Sequence, residues 1–471
     1  MPVKTLKYLS LSALLLATSA CSAASETSSV ETTSKKLNTA QVSAQGTNVE
    51  QPLTEAIDHV WSGHRVFFDF VEQNGFQMIA YYDAARQMSV AVRKMRDVNG
   101  GPWSYHKVSS WLGWDAHNRV EVAFDQDGII HLIGNLHANK LVYFRSTSPY
   151  DPRTLEKVDI MVDKSVEQKM TYPEFFKGPN DLLHFKYRDG SSGNGRWFYS
   201  RWSTDQKAWS HLHKTVLLDG EDIRGVYPLG PVTGPDGYAH MTFTWRETPI
   251  ASSNHDLSYA RSRDLVNWET YDGTPITLPI TLSTGEVIDP IPEHGGLLNG
   301  RHPIGFDSQN RVLVSYQKYD ENDLSQVYIA RRDSEGWSVK RVSDWTDLRV
   351  DLNKSGALDL PLLNNEPPFI NSDGNVVVMA TLRGVQWEWI LNPTNLSLIS
   401  SGTIEQYLPR SVTEYDLDNN IPQRVIPLME DQLTPSSEYY LSWEALQPNR
   451  DQAHANIPPA STLRVHRIPQ Q

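Results

Sequence analysis

The sequence predicts an all-β chain, folded as a seven-bladed β-propeller. Three observations predict it. Helical periodicity is almost absent after Trp61. In its place, one pattern recurs every roughly 50 to 70 residues: a turn carrying Gly or an acid, an alternating strand, a turn, and a second strand. The chain is also rich in aromatics, with 14 Trp and 20 Tyr at a mean hydropathy of -0.46, which suits a soluble protein built from many small sheets.

The N-terminus reads as a targeting segment. Lys4 and Lys7 form a positive start, and Leu9 to Ala17 is an apolar run too short to span a bilayer as a mature helix. Small residues lead to Cys21, the pattern of a bacterial lipoprotein signal over residues 1–21. Thr18 stands where such signals usually carry Leu, and cleavage near Ala20 or Ala23 without lipidation is the alternative. Residues 22–55 are rich in Ser and Thr and poor in large apolar side chains, so they are expected to form a disordered tether. Residues 56–471 are left for the propeller.

Seven leading strands carry the repeat. They begin at Gly75, Gly128, Asp181, Gly237, Arg311, Gly374 and, more weakly, Tyr439. A single small sheet cannot bury both its faces, whereas radial packing against neighbours can. Asp205, Asp264 and Asp333 each precede a Trp by four residues (Trp209, Trp268 and Trp337). These resemble Asp-box turns lacking the usual Gly, and their expected work is structural. The run Val66-Phe-Phe-Asp-Phe70 is expected to pair with Thr462-Leu-Arg-Val-His466 and close the ring. A pair of β-sandwich domains is the competing architecture.

Net charge is -13, which argues against general nucleic-acid binding and against a membrane-surface role for the folded part. Cys21 is the only cysteine, so the mature fold has no internal disulfide and no thiolate metal site.

Polar residues cluster where the repeat brings strand ends together. Tyr172 lies in Thr171-Tyr-Pro-Glu-Phe-Phe176. Arg188 ends the strand Leu182–Arg188, just before a Gly/Ser-rich loop. His117 lies in Trp114-Asp-Ala-His-Asn118, and His137 follows a strand in Gly134-Asn-Leu-His137. His137, Arg188 and Arg246 are each expected to close an innermost strand, with Asn254-His255-Asp256 opening the next strand after Arg246. A lone His at a strand end is more often a surface residue than a catalyst. What favours function is the convergence of such residues from adjacent repeats. His131, His184 and His240 sit inside strands and are expected to pack. His117 and His137 show no evident third ligand, so no metal set is legible. No cofactor is required, although a structural cation stays open.

The run Tyr172-Pro-Glu-Phe through Tyr187-Arg-Asp-Gly-Ser-Ser-Gly-Asn-Gly195, with Trp245-Arg-Glu247 and Asn254-His-Asp-Leu-Ser-Tyr-Ala-Arg-Ser262, resembles the BNR-repeat polysaccharide lyases. The resemblance is strongest to the ulvan lyases of the PL25 type, with the PL24 type next, and it covers about residues 60 to 345. His117 and His137 match the paired histidines of that group in place and approximate spacing. The resemblance implies β-elimination on a sulfated rhamnose–uronate polymer of green algae, by an exported bacterial enzyme.

Elimination sets three tasks: neutralise the uronate carboxylate, remove the C5 proton, and protonate the O4 leaving group. Arg188 suits the first, because its fork holds a carboxylate bidentately and keeps its charge. Tyr172 is assigned as general acid. A neighbouring cation favours phenolate, which would let Tyr172 serve also as base. His117 and His137 are base or second clamp, their roles not separable by sequence. Arg246, Asn254, His255, Asn118 and Tyr227 are assigned to substrate binding. The expected partner is an anionic sulfated polysaccharide, with no nucleic acid, contact with a membrane only through a lipid at Cys21, and a monomeric chain. Two other readings stay open: a sialidase-like propeller hydrolase using Glu174 or Glu247 as acid, and a non-catalytic glycan-binding surface lipoprotein.

Overall fold

The computed structural model describes residues 53–96, 100–356, 358, 363–404, 423–427 and 439–467. Among them there is no α-helix, only three short 3-10 turns at Pro152–Thr154, Pro179–Asp181 and Ala251–Ser253. The strands form seven separate antiparallel sheets, which follow one another along the chain. The large sheets that two sandwiches would need are not formed.

Sheet 1 runs Asp69–Gln73, Phe76–Tyr82, Gln87–Lys94, Ser104–Trp111. Sheet 2 runs Val120–Phe124, Ile130–Gly134, Tyr143–Ser146, Leu155–Val158. Sheet 3 is built on Met170–Lys177, Leu183–Asp189, Arg196–Ser203 and Ala208–His211, and sheet 4 on Gly225–Thr233, Ala239–Arg246 and Asn254–Ser262. Sheets 5 and 6 are built around Val312–Tyr319 and Val376–Leu382. In sheet 7 the order is Leu53–Val60, Ser461–Arg467, Tyr439–Glu444, Gln423–Pro427, so the first strand lies beside the last. Leu53–Glu55, which composition had given to the tether, are part of that first strand.

The seven strands legible in the sequence are all present, but each is second in its sheet. In six of the sheets a shorter or Pro-containing strand precedes it, as Gly225–Thr233 precedes Ala239–Arg246, and in sheet 2 the two strands are both five residues long. Pro lacks an N–H and breaks the alternating pattern, which hides such strands from periodicity. Arg188 and Arg246 therefore end second strands, not innermost ones, and His137 opens a short strand, His137–Asn139.

The second strands are buried on both faces: all eight residues of Ala239–Arg246 are enclosed. Some polar side chains inside them bond the segments of the neighbouring sheet, whereas Thr244 Oγ1 has no protein partner. Thr242 bonds the ring and carbonyl of His302, and the Ser315 hydroxyl donates to the Glu366 carbonyl. Lys177 donates to Gln73 in sheet 1 at 2.7 Å. Two of the three indoles of the Asp-box-like turns bridge sheets, while Trp268 donates to the Leu265 carbonyl of its own turn. Trp209 donates to Tyr143 of sheet 2, and Trp337 to Glu286, which pairs into sheet 4. Asp264 caps its own turn through the amides of Val266 and Asn267, while Asp333 instead binds Arg311 and Arg331.

Val66–Phe70 does not pair with Thr462–His466; Leu53–Val60 does. Phe68 and Phe70 instead stack on Trp443 and Tyr439 of sheet 7, with centroids 4.5 and 5.6 Å apart. The apolar run identified the right neighbour, but it meets that neighbour by its face and not by ladder hydrogen bonds.

His131, His184 and His240 are structural. His131 and His240 each bond a tyrosine of the third strand (Tyr143 and Tyr259) at 2.6 Å, and the His184 ring bonds the Leu182 carbonyl. Burial pushes His64, His184 and His466 down to about 4 and His302 to about 3. Their unfolded value is about 6.5, so the unfolded chain binds more protons in between. The stability they contribute is complete above about pH 6.5 and is lost as pH falls through about 4. Calorimetry should show the melting temperature falling steadily across that window; a flat profile would mean that these rings are not held neutral.

Candidate active site

Sheets 2, 3 and 4 bring the site together at one set of strand ends. The segment Asp115–Arg119 leads into Val120–Phe124, the first strand of sheet 2. Trp114 anchors it, packing edge-on against Trp61 at 5.3 Å. The Tyr82 hydroxyl anchors it again by donating to the Asn118 carbonyl at 2.9 Å.

His137 arrives from the other side of sheet 2. The strand His137–Asn139 leaves that sheet and pairs with Met170 and Thr171 of sheet 3. The Ala138 amide donates to the Thr171 hydroxyl at 2.8 Å. This crossing sets His137 beside the residue preceding Tyr172.

Tyr172 has a φ of 53°, in the left-handed region that a bulky residue rarely adopts. It sits at a bulge, where the register with Leu183–Asp189 slips between Thr171 and Glu174. Pro173 follows and cannot donate to the ladder. Strain held in place by surrounding structure is concentrated at functional positions. The Tyr172 ring lies parallel to Trp197 at 6.4 Å and 6.3 Å from His117.

Arg188 is almost fully buried, at 2% exposure. Its guanidinium lies 4.8 Å from the Tyr172 ring and 5.7 Å from that of Tyr227, and it donates to the Tyr227 hydroxyl at 3.3 Å. Among the described residues no carboxylate is within ion-pair range of it, and its Nε has no protein partner. An isolated buried charge is costly unless an anion compensates it.

His117 and His137 stack with centroids 4.2 Å apart. Between them stands Asp115, which the sequence reading missed. Its carboxylate takes His117 Nδ1 at 2.8 Å and His137 Nδ1 at 2.5 Å. Asp115, His117 and His137 also offer three potential metal donors within 4.8 Å of one another, so the third ligand that spacing did not reveal is present. Burial acts to raise the Asp115 pKa, but hydrogen bonds from both histidines outweigh it and hold the carboxyl well below the usual range.

The Tyr172 phenol differs from expectation. Burial pushes it above its ordinary value, against the pull of Arg188. Desolvation exceeds the effect of the cation, so Tyr172 is a protonated phenol at neutral pH.

The substrate-binding set divides. Tyr227 faces Arg188, and its hydroxyl also meets Ser192 at 3.2 Å. Asn118 keeps a buried Oδ1 without a protein partner. Arg246 is committed to its own loop, bonding the carbonyls of Thr248, Pro249 and Ile250. Both ring nitrogens of His255 are taken, by Glu247 at 2.9 Å and Asp256 at 3.0 Å. Asn254 donates to Ala251 and Asn299 from a fully enclosed position. Asn254 Oδ1, like that of Asn118, has no protein partner.

Residues 76–345, more than half of the chain, match the BNR repeat-containing family. The chain belongs to that family. Among solved structures, the BNR-repeat chain resembles polysaccharide lyase Uly1, with a TM-score of 0.59 at 13% identity, covering 86% of this chain and 90% of that one. It also resembles a PL25 ulvan lyase, with TM-scores of 0.57 alone and 0.58 bound to -[GlcA(1-4)Rha3S]-. Each of these two is 13% identical and covers 87% of this chain and 94% of the other. At such identity the likeness is one of fold: all-β and propeller-like. No curated protein matches the sequence.

Gly195 makes room for the Arg188 stem. A Cβ there would lie 2.5 Å from Arg188 Cδ and 2.9 Å from its Cγ. Gly195→Ala should therefore displace the guanidinium while leaving the fold intact. Affinity for, or turnover of, an anionic glycan should drop by on the order of 10- to 10²-fold, as expected of an ångström-scale misplacement. Unchanged affinity and turnover in the folded variant would show that Arg188 does not hold the ligand.

Proposed function

We propose that this chain is a polysaccharide lyase that cleaves a uronate-containing, sulfated algal polysaccharide of the ulvan class by β-elimination. The observation that carries the reading is Arg188: a buried guanidinium without a carboxylate partner, set between Tyr172 and Tyr227. A uronate carboxylate is the complementary anion, and binding it there would acidify the C5 proton. The fold shared with polysaccharide lyases supports the same reading. We also read the seven sheets as seven blades, closed by the pairing of Leu53–Val60 with Ser461–Arg467.

The roles follow from chemistry. Arg188 neutralises the carboxylate. A histidine takes the C5 proton, the C4–O4 bond breaks as C4=C5 forms, and the Tyr172 hydroxyl protonates O4. A phenol kept protonated by burial favours the acid role over that of phenolate base. Glu174 and Glu247, the acids a propeller hydrolase would use, are bound to Lys186 at 2.9 Å and to Arg224 at 2.6 Å. A merely glycan-binding protein would have no need of a strained phenol beside an imidazole pair.

The test is incubation with ulvan beside alginate, pectin and heparin, following unsaturated-uronate absorbance and chain length together. Shortening without that absorbance would refute elimination, and retention without shortening would refute catalysis. Tyr172→Phe removes one hydroxyl and almost no volume. It should lower the rate by about 10²–10⁴-fold with binding largely kept, as for loss of a positioned proton donor. Arg188→Lys should also be severely impaired, because an ammonium lacks the planar fork. Near-normal elimination by Tyr172→Phe would move the acid to the histidines.

We propose in addition that the chain is exported and anchored through a lipid at Cys21, which lies outside the described residues. Cys21→Ser should release it from the membrane fraction with unchanged specific activity. Finding the unaltered protein wholly in the medium would refute the anchor.

A further inference from the structure

We propose that Arg65 and Arg301 form a second anion site on the same set of strand ends, which takes the sulfate ester of a sugar further along the polysaccharide from the uronate at Arg188. The place of that sugar along the polysaccharide rests on the lyase reading above; the anion site does not.

Placement puts both arginines on the side of the fold where the candidate site lies. Arg65 precedes Asp69–Gln73 of sheet 1, and Arg301 precedes Ile304–Phe306 of sheet 5. Each of these is the first strand of its sheet, as Val120–Phe124 is in sheet 2, where Asp115–Arg119 precedes it. The Phe67 carbonyl accepts the Val120 amide at 3.3 Å, which ties the Arg65 segment to the one that carries His117 and Asn118. The Arg65 amide donates to the Leu446 carbonyl at 2.8 Å, just beyond the strand Tyr439–Glu444 of sheet 7. Arg301 is held toward sheet 6. Its guanidinium donates to the Asn364 side chain, and the Asn365 side chain donates to the Arg301 carbonyl at 3.0 Å. With the sheets read as blades, these contacts place the pair in the arc of sheets 5, 6, 7 and 1, facing the arc of sheets 2 to 4 that carries Arg188.

Charge carries the argument. The sequence holds 56 acids against 43 lysines and arginines, so acids are available to pair with every arginine. Among the described residues, neither Arg65 nor Arg301 has a carboxylate in ion-pair range; each has the other nearby instead. Burial lowers the pKa of both groups, and Arg65 lowers that of Arg301 further, as one cation does to another. Both stay charged at neutral pH, because a guanidinium does not lose its proton in a protein. Two half-buried like charges without an acid are costly, and an anion shared between them removes that cost.

The chemistry of the pair selects the anion. A carboxylate has two coplanar oxygens, and one guanidinium fork satisfies both. A sulfate ester has three oxygens pointing apart, so two forks can share it. Phe67 adds a place for the sugar. Its ring is 44% exposed and lies 5.1 Å from the Arg65 guanidinium, which leaves apolar surface beside the cations for the C–H face of a pyranose. Arg188, by contrast, presents one fork between two tyrosine rings, which suits the carboxylate.

The test measures binding by calorimetry on the full chain carrying Tyr172→Phe, with three probes: ulvan, chemically desulfated ulvan, and ulvan whose carboxylates have been reduced. Arg65→Gln and Arg301→Gln should each weaken ulvan binding by about 10- to 10²-fold, as for loss of a charge-assisted donor. Desulfated ulvan should bind more weakly at the outset and be indifferent to either substitution. Carboxyl-reduced ulvan should stay sensitive to both. Unchanged ulvan binding in both folded variants would overturn the site. Equal weakening toward ulvan and desulfated ulvan would overturn sulfate recognition, and sensitivity lost only on carboxyl reduction would give the pair to a second uronate. Should a glutamine variant fail to fold, Arg65→Lys or Arg301→Lys keeps the charge, loses the fork and is judged by the same comparison.

With Tyr172 restored, the same substitutions should raise KM on ulvan and leave kcat little changed, because the sugar they hold does not react. A fall in kcat with KM kept would place the pair in the chemistry and overturn the assignment. If the unaltered protein produces no unsaturated uronate from any polyuronate, the lyase reading falls, and with it the order of the two groups along the polymer. The binding comparison would still judge the anion site.

Discussion

Enclosing a guanidinium without a counter-ion is the constraint around which the site is organised. Arg188 could relieve its charge by reaching an acid, but none of the nearby carboxylates is free to come. Asp189 is bound to Arg196, Glu174 to Lys186 and Glu247 to Arg224. The aromatic faces of Tyr172 and Tyr227 offer partial compensation, since a ring face attracts a cation. They leave the full charge available to an incoming anion. The same desolvation that strengthens Arg188 toward an anion keeps the Tyr172 phenol protonated.

Much of this was legible in the sequence, and the failures have physical causes. Period-two patterning exposed the second strand of every sheet, because those strands carry long runs of β-branched and aromatic residues. It missed the inner strands, which are short or interrupted by proline. Tyr172, Arg188, His117 and His137 converge, because the strand ends on which they lie belong to adjacent sheets. Asp115 was invisible as a partner of His137. Its bond to His117 spans two residues and reads as an ordinary turn, while its bond to His137 depends on a strand that leaves one sheet for the next. Arg246 and His255 differ in that their partners are immediate neighbours in sequence, Thr248 to Ile250 for one and Glu247 with Asp256 for the other, and residue type alone did not reveal those bonds.

Buried polar groups do a second kind of work here. Apolar faces alone would let neighbouring sheets slide, since hydrophobic contact has little direction. Lys177 to Gln73, Thr242 to His302, and Ser315 to Glu366 are directional bonds that tie one sheet to another or to the segment leading into it. A site assembled from three sheets needs that registration, because its distances are fixed only as well as the sheets are fixed to each other.

The strand Leu53–Val60 is made some four hundred residues before its partner Ser461–Arg467. Joining points some four hundred residues apart adds little to the equilibrium cost, because closure entropy grows only by about 0.6 kcal/mol per doubling of length. The consequence lies in time. While the intervening residues are made, the chain holds a strand whose partner is missing, the kind of edge that pairs with strangers. Leu53–Val60 carries Glu55 and Asp58, and two acids along a waiting edge would discourage such pairing until Ser461–Arg467 emerges.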